Sequence, residues 1–137
     1  MRLHRVYFSL GSNLGQREEN IRLAISKMEE LIGDVVRRST LLVTEPWGFR
    51  SEHSFVNAAV CCLTELSPRE VLEVTQRIER MLGRTCKSVN GQYHDRIIDI
   101  DILLYDQLVI DEPDLKIPHP LMHERDFVMI PLREISS

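Results

Sequence analysis

The sequence predicts an α+β fold of the ferredoxin-like type, in which the elements follow the order β-α-β-β-α-β. Four runs rich in apolar and β-branched residues, separated by Gly, Pro and Asn, are typical of strands. Two segments between these runs are more polar, and they repeat apolar residues at helical spacing. We therefore expect a four-stranded antiparallel sheet with both helices on one face, which leaves the other face for loops and a ligand. The 137 residues are expected to form a single domain over residues 1–137.

The first half of the chain supplies two strands and one helix. Residues 6–10 form an apolar run typical of a buried strand. Residues 18–31 repeat apolar side chains at helical spacing, and Gly33 is predicted to end that helix. Residues 35–43 are predicted as a second strand, followed by a loop at 44–49 that Pro and Gly mark.

The second helix has the clearest local signature. A third strand is predicted over residues 55–63, and Ser67 then stands at the N-cap position with Pro68 at the first helical position. Glu70 occupies the third helical position, as a capping box requires. We expect this helix to stop at Gly83.

The remaining residues predict one strand flanked by loops. Residues 84–95 lack periodicity and form a long loop, and residues 96–105 are the fourth strand. A short hairpin partner is expected at 107–110, and a final short helix at 120–126.

Composition and charge favour a small anionic ligand over a polymer or a membrane. Hydrophobic residues make up 43% and charged residues 28% of the chain, with a formal net charge of −4. This charge gives no general attraction for nucleic acid or anionic lipid. Nothing reaches membrane-spanning length, and the three cysteines form no disulfide or metal spacing, so we expect a cytoplasmic protein. The cations nevertheless cluster locally, at Arg77, Arg80, Arg84, Lys87, His94 and Arg96.

Two carboxylates on the fourth strand are the strongest chemical signal. Asp99 and Asp101 alternate with isoleucines, so they share one face of the strand, roughly 6.5–7 Å apart. At that distance they repel by about 2.4 kcal/mol for an effective dielectric constant of about 20. A magnesium ion removes this repulsion, because it prefers carboxylate and phosphate oxygens. A solvated acidic face is the simpler alternative.

The third strand carries a candidate site for a flat heterocycle. Phe55 and Asn57 share one face of that strand. A buried amide left unsatisfied costs roughly 1–3 kcal/mol, so Asn57 needs a partner. The partner is either a ring with donor and acceptor edges, stacked on Phe55, or the backbone of a neighbouring loop.

Other polar residues could reach phosphates near the carboxylates, although each also has an ordinary explanation. Gln76 and Glu79 lie three apart, on one side of the second helix, where a polar face is common. Arginine forms bidentate contacts with phosphate, whereas a lone loop histidine is usually structural. The candidates are Arg84, Arg96, His119 and Arg125.

Taken together, these segments resemble the hydroxymethyl-dihydropterin pyrophosphokinase family of folate biosynthesis. The resemblance runs from Val6 to about Arg133 and follows the family's order of short motifs. These motifs are residues 10–14, 55–59, 76–79, 83–84, 96–101, 118–119 and 125–127. The chain departs from the usual pattern at Cys86, Tyr93 and Pro120.

The resemblance implies a magnesium-dependent transfer of pyrophosphate from ATP to the hydroxymethyl group of a reduced pterin, which releases AMP. It implies that Asp99 and Asp101 bind two magnesium ions and, with Arg84 and Arg96, form the catalytic set. The residues implied to contact ATP are Gln76, Glu79, Arg84, Arg96, Ile102, His119 and Arg125. Those implied to bind the pterin are Thr44, Glu45, Trp47, Phe55, Asn57 and Phe127. We expect no nucleic-acid or membrane partner, and a monomer or at most a weak homodimer.

Two other functions remain open from the residues alone. Another two-metal nucleotidyl or phosphoryl transferase would also use paired aspartates, but the aromatic residues favour a small heterocyclic acceptor. A ligand-sensing module of the same fold would not need the carboxylates together with several arginines.

Overall fold

The computed structural model of the chain describes residues 3–44, 54–83 and 97–136. Its strands are β1 (His4–Ser12), β2 (Asp34–Arg38), β3 (Leu42–Thr44), β4 (Phe55–Thr64), β5 (Asp99–Tyr105), β6 (Ile110–Glu112) and β7 (Leu115–Ile117). Its α-helices are α1 (Arg17–Leu31), α2 (Pro68–Met81) and α3 (Asp126–Ile135), and a short 3₁₀ helix spans Met122–Glu124.

The main sheet has the strand order β2-β4-β1-β5, and every neighbouring pair is antiparallel. The short strand β3 pairs with the same strand, β4, as β2 does. This order, with α1 and α2 packed on one face, confirms the predicted ferredoxin-like α+β fold. Strand β5 lies at one edge of the sheet, so one side of its backbone faces away from β1.

The principal core lies between the sheet and the first two helices. Val6, Phe8 and Leu10 alternate along β1 with no exposed surface, and they pack in the same cluster as Met28 of α1 and Ile78 of α2. Burying each such side chain stabilises the fold by about 1.5–3 kcal/mol. The apolar side chains that alternate along the strands and those that recur at helical spacing therefore pack in one core.

Helix α2 begins as the sequence predicts. The Glu70 backbone N–H donates to Ser67 Oγ at 3.2 Å, and the Ser67 N–H donates to Glu70 Oε1 at 2.9 Å. This reciprocal pair is a capping box, with Pro68 at the first helical position. The capped start fixes the register of the face that carries Gln76 and Glu79.

Gly33 follows α1 as predicted, but close packing explains it better than helix termination does. The helix is capped at Ile32, and Gly33 lies against the backbone of β4. A Cβ atom at Gly33 would stand 1.9 Å from the Leu63 carbonyl oxygen. Only glycine allows the chain to enter β2 this close to its partner strand.

The strand predicted over 35–43 was wrong in its continuity, because it is divided into β2 and β3. At the break, the Ser39 N–H donates to the Ala59 carbonyl at 2.8 Å. The Ala59 N–H in turn donates to Ser39 Oγ at 2.9 Å. A side-chain oxygen thus takes the place of a backbone acceptor, and the ladder is interrupted there.

The C-terminal part differs most from the prediction. The expected hairpin partner at 107–110 is wrong, since Ile110 instead begins β6, which pairs with β7 in a separate two-stranded sheet. The helix expected at 120–126 is also misplaced, because only a 3₁₀ turn forms there and α3 follows it. Helix α3 runs through Pro131 because its buried side chains, among them Leu132, pack on the sheet.

Helix α3 covers part of the sheet face that was expected to stay open. Ile135 packs with Ala59 and Cys61, on the side of β4 opposite to Cys62 and the main core. The two adjacent cysteines therefore face opposite ways, and both are buried and free of disulfide bonds. Asn57, Gly11 and the aspartates lie at the other end of this face, away from the contacts of Ile135.

Candidate active site

The aspartates of β5 stand on the face of the sheet away from the main core. Asp99 and Asp101 are half-buried, while Ile100 and Ile102 between and beyond them are buried in that core. On the neighbouring strand, Gly11 pairs with Asp99. The predicted alternation is confirmed, so the two carboxylates share one side of an edge strand.

A cleft of about 490 Å³ lies beside this edge, between α2, β5 and the segment that contains His119 and Arg125. Six residues predicted from the sequence line it together: Gln76, Glu79, Asp99, Asp101, His119 and Arg125. The fold thus brings together side chains that are nearly fifty positions apart in the sequence. Its other lining residues, none of which was predicted to contact a ligand, are Leu72, Thr75, Ile100, Pro120 and Leu121.

Glu79 has a structural contact within the cleft. The residue is 6% exposed, and Oε2 accepts a hydrogen bond from the Ile100 backbone N–H at 2.8 Å. Because β5 is an edge strand, this N–H faces no partner strand on that side among the residues that the structure describes. Glu79 therefore supplies the missing acceptor and ties α2 to the strand segment between the two aspartates.

His119 is held in one orientation beside the aspartates. Its Nδ1 accepts a hydrogen bond from the Leu121 backbone N–H at 3.2 Å, and its own backbone N–H donates to the Leu103 carbonyl. Burial and the nearby Arg125 lower the pKa of the imidazole, against a smaller opposite effect of Asp99. The ring is therefore neutral at pH 7, with its proton on Nε2 as a hydrogen-bond donor.

Arg125 joins the cleft to the neighbouring aromatic side chain. Only 7% of the residue is exposed, and Cζ lies 5.6 Å from the centre of the Phe127 ring, a cation–π distance. Phe127 also packs with Leu103 and Met122 in the cluster under α3. The guanidinium is thus placed by the same helix start that places the predicted pterin-stacking ring.

Asn57 lies in the same row of the sheet as Gly11 and Asp99. Asn57 is 2% exposed, and its Nδ2 donates to the Leu42 carbonyl at 3.4 Å, so the backbone partner considered from the sequence is present. A Cβ atom at Gly11 would stand 3.2 Å from Asn57 Oδ1 and 3.4 Å from Phe55 Cδ1. Gly11 therefore keeps the floor between Asn57 and Asp99 free of a side chain. Gly11 was not among the predicted site residues, and the feature of the sequence that could have revealed it is a glycine within a strand.

The other predicted residues are placed as follows. Gln76 is exposed at the rim of the cleft, and Thr44 ends β3, where its backbone pairs with Phe55. The Ile102 side chain is buried in the main core, so only its backbone could contact a ligand. Four predicted residues lie outside the described ranges: Glu45, Trp47, Arg84 and Arg96.

The donor set fits a metal that is shared with a ligand rather than one enclosed by protein. Over residues 3–44, 54–83 and 97–136, no cluster of three or more His, Cys, Asp or Glu side chains could hold a metal ion. The two aspartates offer oxygen donors on one face, and magnesium commonly takes one or two carboxylates together with phosphate oxygens and water.

Within the same part of the chain, no helix is long and apolar enough to cross a bilayer.

Comparison with curated proteins identifies the class as a pyrophosphokinase, a transferase enzyme. A 2-amino-4-hydroxy-6-hydroxymethyldihydropteridine pyrophosphokinase of Porphyromonas gingivalis (strain W83) is 48% identical over 132 residues, which are 96% of this chain and 90% of the relative. The enzyme of that name from Bacillus subtilis is 41% identical over 130 residues, 94% of this chain and 76% of the relative.

The family follows from a match over almost the whole chain. The model of the 7,8-dihydro-6-hydroxymethylpterin-pyrophosphokinase family matches residues 7–137, and the chain belongs to this family of folate biosynthesis. A solved Plasmodium falciparum HPPK-DHPS structure has the same fold, with a TM-score of 0.75 and 15% identity over 97% of this chain. This chain spans only 41% of that one, and the likeness concerns the fold alone.

Proposed function

We propose that this enzyme transfers the pyrophosphoryl group of ATP to the hydroxymethyl group of 6-hydroxymethyl-7,8-dihydropterin and releases AMP. The observation that carries the proposal is the row formed by Asn57, Gly11 and Asp99. A ring bound at Asn57 can extend over Gly11 toward the carboxylates, where the phosphate chain must meet it. Family membership supplies the reaction, and this row supports the assignment of its parts to particular residues.

The pterin is assigned to the end of the sheet face that carries Asn57 and Gly11. Asn57 offers its amide to the ring edge, and the rings of Phe55 and Phe127 provide stacking surfaces. The backbone at Thr44, which pairs with Phe55, borders the same end. Glu45 and Trp47 complete the proposed pterin set.

ATP is assigned to the cleft beside β5. Arg125 and the Nε2–H of His119 are hydrogen-bond donors for the phosphates, and Gln76 lies at the rim. The backbone N–H of Ile100 points to the outer edge, and alternation along the strand places that of Ile102 on the same edge. That edge is suited to a planar base. Arg84 and Arg96 are the remaining proposed phosphate contacts.

The carboxylates of Asp99 and Asp101 are the proposed ligands of two magnesium ions. Bound there, the ions would neutralise charge on the phosphates and on the attacking and leaving oxygens. Glu79 holds the intervening Ile100 in place, so both carboxylates keep a fixed spacing. Their own repulsion favours a bound cation.

The proposed step exchanges one P–O bond for another. The hydroxymethyl oxygen attacks the β-phosphorus of ATP, and the bond from that phosphorus to the α,β-bridging oxygen breaks. The electron pair leaves with AMP, and the hydroxyl proton passes to solvent. Such transfers depend on positioning and charge neutralisation, and no nucleophilic side chain is required.

A direct assay tests this function. Purified enzyme, ATP, MgCl₂ and 6-hydroxymethyl-7,8-dihydropterin should yield AMP and the pterin pyrophosphate in equal amounts, with none when the pterin or the metal is omitted. Release of ADP, or of AMP independent of the pterin, would contradict the proposal. Gel filtration would test the expected monomer in the same preparation.

A further inference from the structure

Arg17 makes two short contacts with the residue that precedes Phe55. Its Nη1 donates to the Ser54 carbonyl oxygen and to Ser54 Oγ, both at 2.7 Å. Both residues are half-buried, so solvent competes less for this guanidinium than for an exposed one. Charge-assisted hydrogen bonds of this length are among the stronger polar contacts in proteins.

The contact acts on the orientation of Phe55. The Ser54 carbonyl belongs to the same planar peptide unit as the Phe55 N–H, so fixing this oxygen limits rotation of that peptide. Phe55 is also the first residue of β4 and pairs with Thr44, the last residue of β3. Its backbone is therefore held on one side by the sheet and on the other by Arg17.

The location of Arg17 is unfavourable for the helix that carries it. Arg17 is the first residue of α1, where the positive end of the helix dipole disfavours a cation and favours the acidic Glu18 and Glu19 that follow. The N-cap residue, Gln16, makes no side-chain cap either. A cation at a helix start is expected to make a favourable contact elsewhere that offsets this cost. For Arg17 that contact is the pair of hydrogen bonds with Ser54.

We propose that Arg17 is a positioning residue for pterin binding, which acts by holding the Ser54–Phe55 peptide so that the Phe55 ring stands beside Gly11 and Asn57. This role rests on the proposed function, because it requires Phe55 and Asn57 to bind the pterin. Arg17 does not line the cleft assigned to ATP. Its loss should therefore weaken one substrate and not the other.

Steady-state kinetics of Arg17→Ala with each substrate varied in turn tests this role. We expect KM for the pterin to rise about tenfold, as loss of about 1.4 kcal/mol would produce, with KM for ATP within about twofold of wild type. The matched control is Arg22→Ala on the same helix, which removes an exposed pair with Glu19 and should change neither constant. Equal changes in both KM values, or an Arg17→Ala variant identical to the control, would overturn the role.

Two further variants keep the test decisive. Ser54→Ala removes one of the two acceptors and should raise KM for the pterin about threefold, with no further effect in the Arg17→Ala background. If Arg17→Ala does not fold, a wild-type pterin KM in Ser54→Ala overturns the role. Asn57→Ala separates the hypotheses: if it raises the pterin KM and Arg17→Ala does not, only this role fails. If Asn57→Ala has no effect, the pterin site itself is misassigned.

Discussion

Asn57 and Asp99 lie in one row of the sheet, each directly opposite the same residue of the strand between them. Neighbouring strands are roughly 4.8 Å apart, so the two backbone positions are separated by roughly 10 Å. This is the scale of a bicyclic ring with its hydroxymethyl substituent. Since the intervening residue is Gly11, it places no side chain of its own between them, and the Phe55 ring lies against it, with Cδ1 3.4 Å from where a Cβ would stand.

Loss of either carboxylate should abolish turnover without unfolding the protein. Asp99→Asn and Asp101→Asn keep the size of each side chain but remove the charge, and kcat should fall about a thousandfold, as for loss of a main electrostatic contact in a transition state. Calorimetry should show weaker Mg²⁺–nucleotide binding, and circular dichroism an unchanged fold. Asp34→Asn, on the exposed start of β2, is the control. Near-wild-type turnover in Asp99→Asn would rule out the metal assignment.

Two glycine substitutions should have opposite consequences. In Gly11→Ala the new Cβ meets Asn57 Oδ1 at 3.2 Å, which a small shift relieves, so the fold should survive while KM for the pterin rises about tenfold. In Gly33→Ala the Cβ meets a backbone carbonyl at 1.9 Å, so stability should fall by about 3 kcal/mol or more. Urea unfolding and kinetics measure both. A fully active Gly11→Ala variant would show that the floor of the site is not used.

The pH dependence of stability should carry the signature of His119. Burial and Arg125 lower the pKa of this ring below its usual 6.5, so the unfolded chain takes up the proton at a higher pH than the folded one. Its contribution to stability is complete above about pH 6.5 and is lost as the pH falls through the lowered value. His119→Gln should therefore lose less stability than wild type between pH 7 and 5 in urea titrations. A steeper loss in the variant would contradict the lowered pKa.

The capping box should affect stability but not catalysis. Ser67→Ala removes the acceptor of the Glu70 N–H and should cost about 1 kcal/mol in urea unfolding. The helix is held by its packed face as well, so kcat and both KM values should stay at wild-type levels. A large kinetic effect would mean that the start of α2 controls the position of Gln76 and Glu79 more directly than proposed.

Local sequence patterns predicted the parts of this fold in which neighbouring residues decide the outcome. The alternation that places Asp99 and Asp101 on one face needs only the period of a strand, and the capping box needs only Ser67, Pro68 and Glu70. The fold class followed from the element order β-α-β-β-α-β, since such an order permits few arrangements.

Features that depend on distant partners could not be predicted. The break at Ser39 depends on a hydrogen bond with Ala59, and the position of α3 depends on packing that overrides the preference of Pro131 against helix interiors. Likewise, Glu79 was predicted to contact ATP, and its bond to the Ile100 N–H is visible only once β5 lies at the sheet edge. Roles for Arg84, Arg96, Glu45 and Trp47 stay predictions.

The most direct test of the central claim is a crystal structure of the enzyme with Mg²⁺, a non-hydrolysable ATP analogue and 6-hydroxymethyl-7,8-dihydropterin. We expect metal ions on the carboxylates of Asp99 and Asp101, bridging to the phosphates, and the pterin edge against Asn57. A phosphate chain bound away from these carboxylates, or a pterin bound on another face of the sheet, would contradict the account.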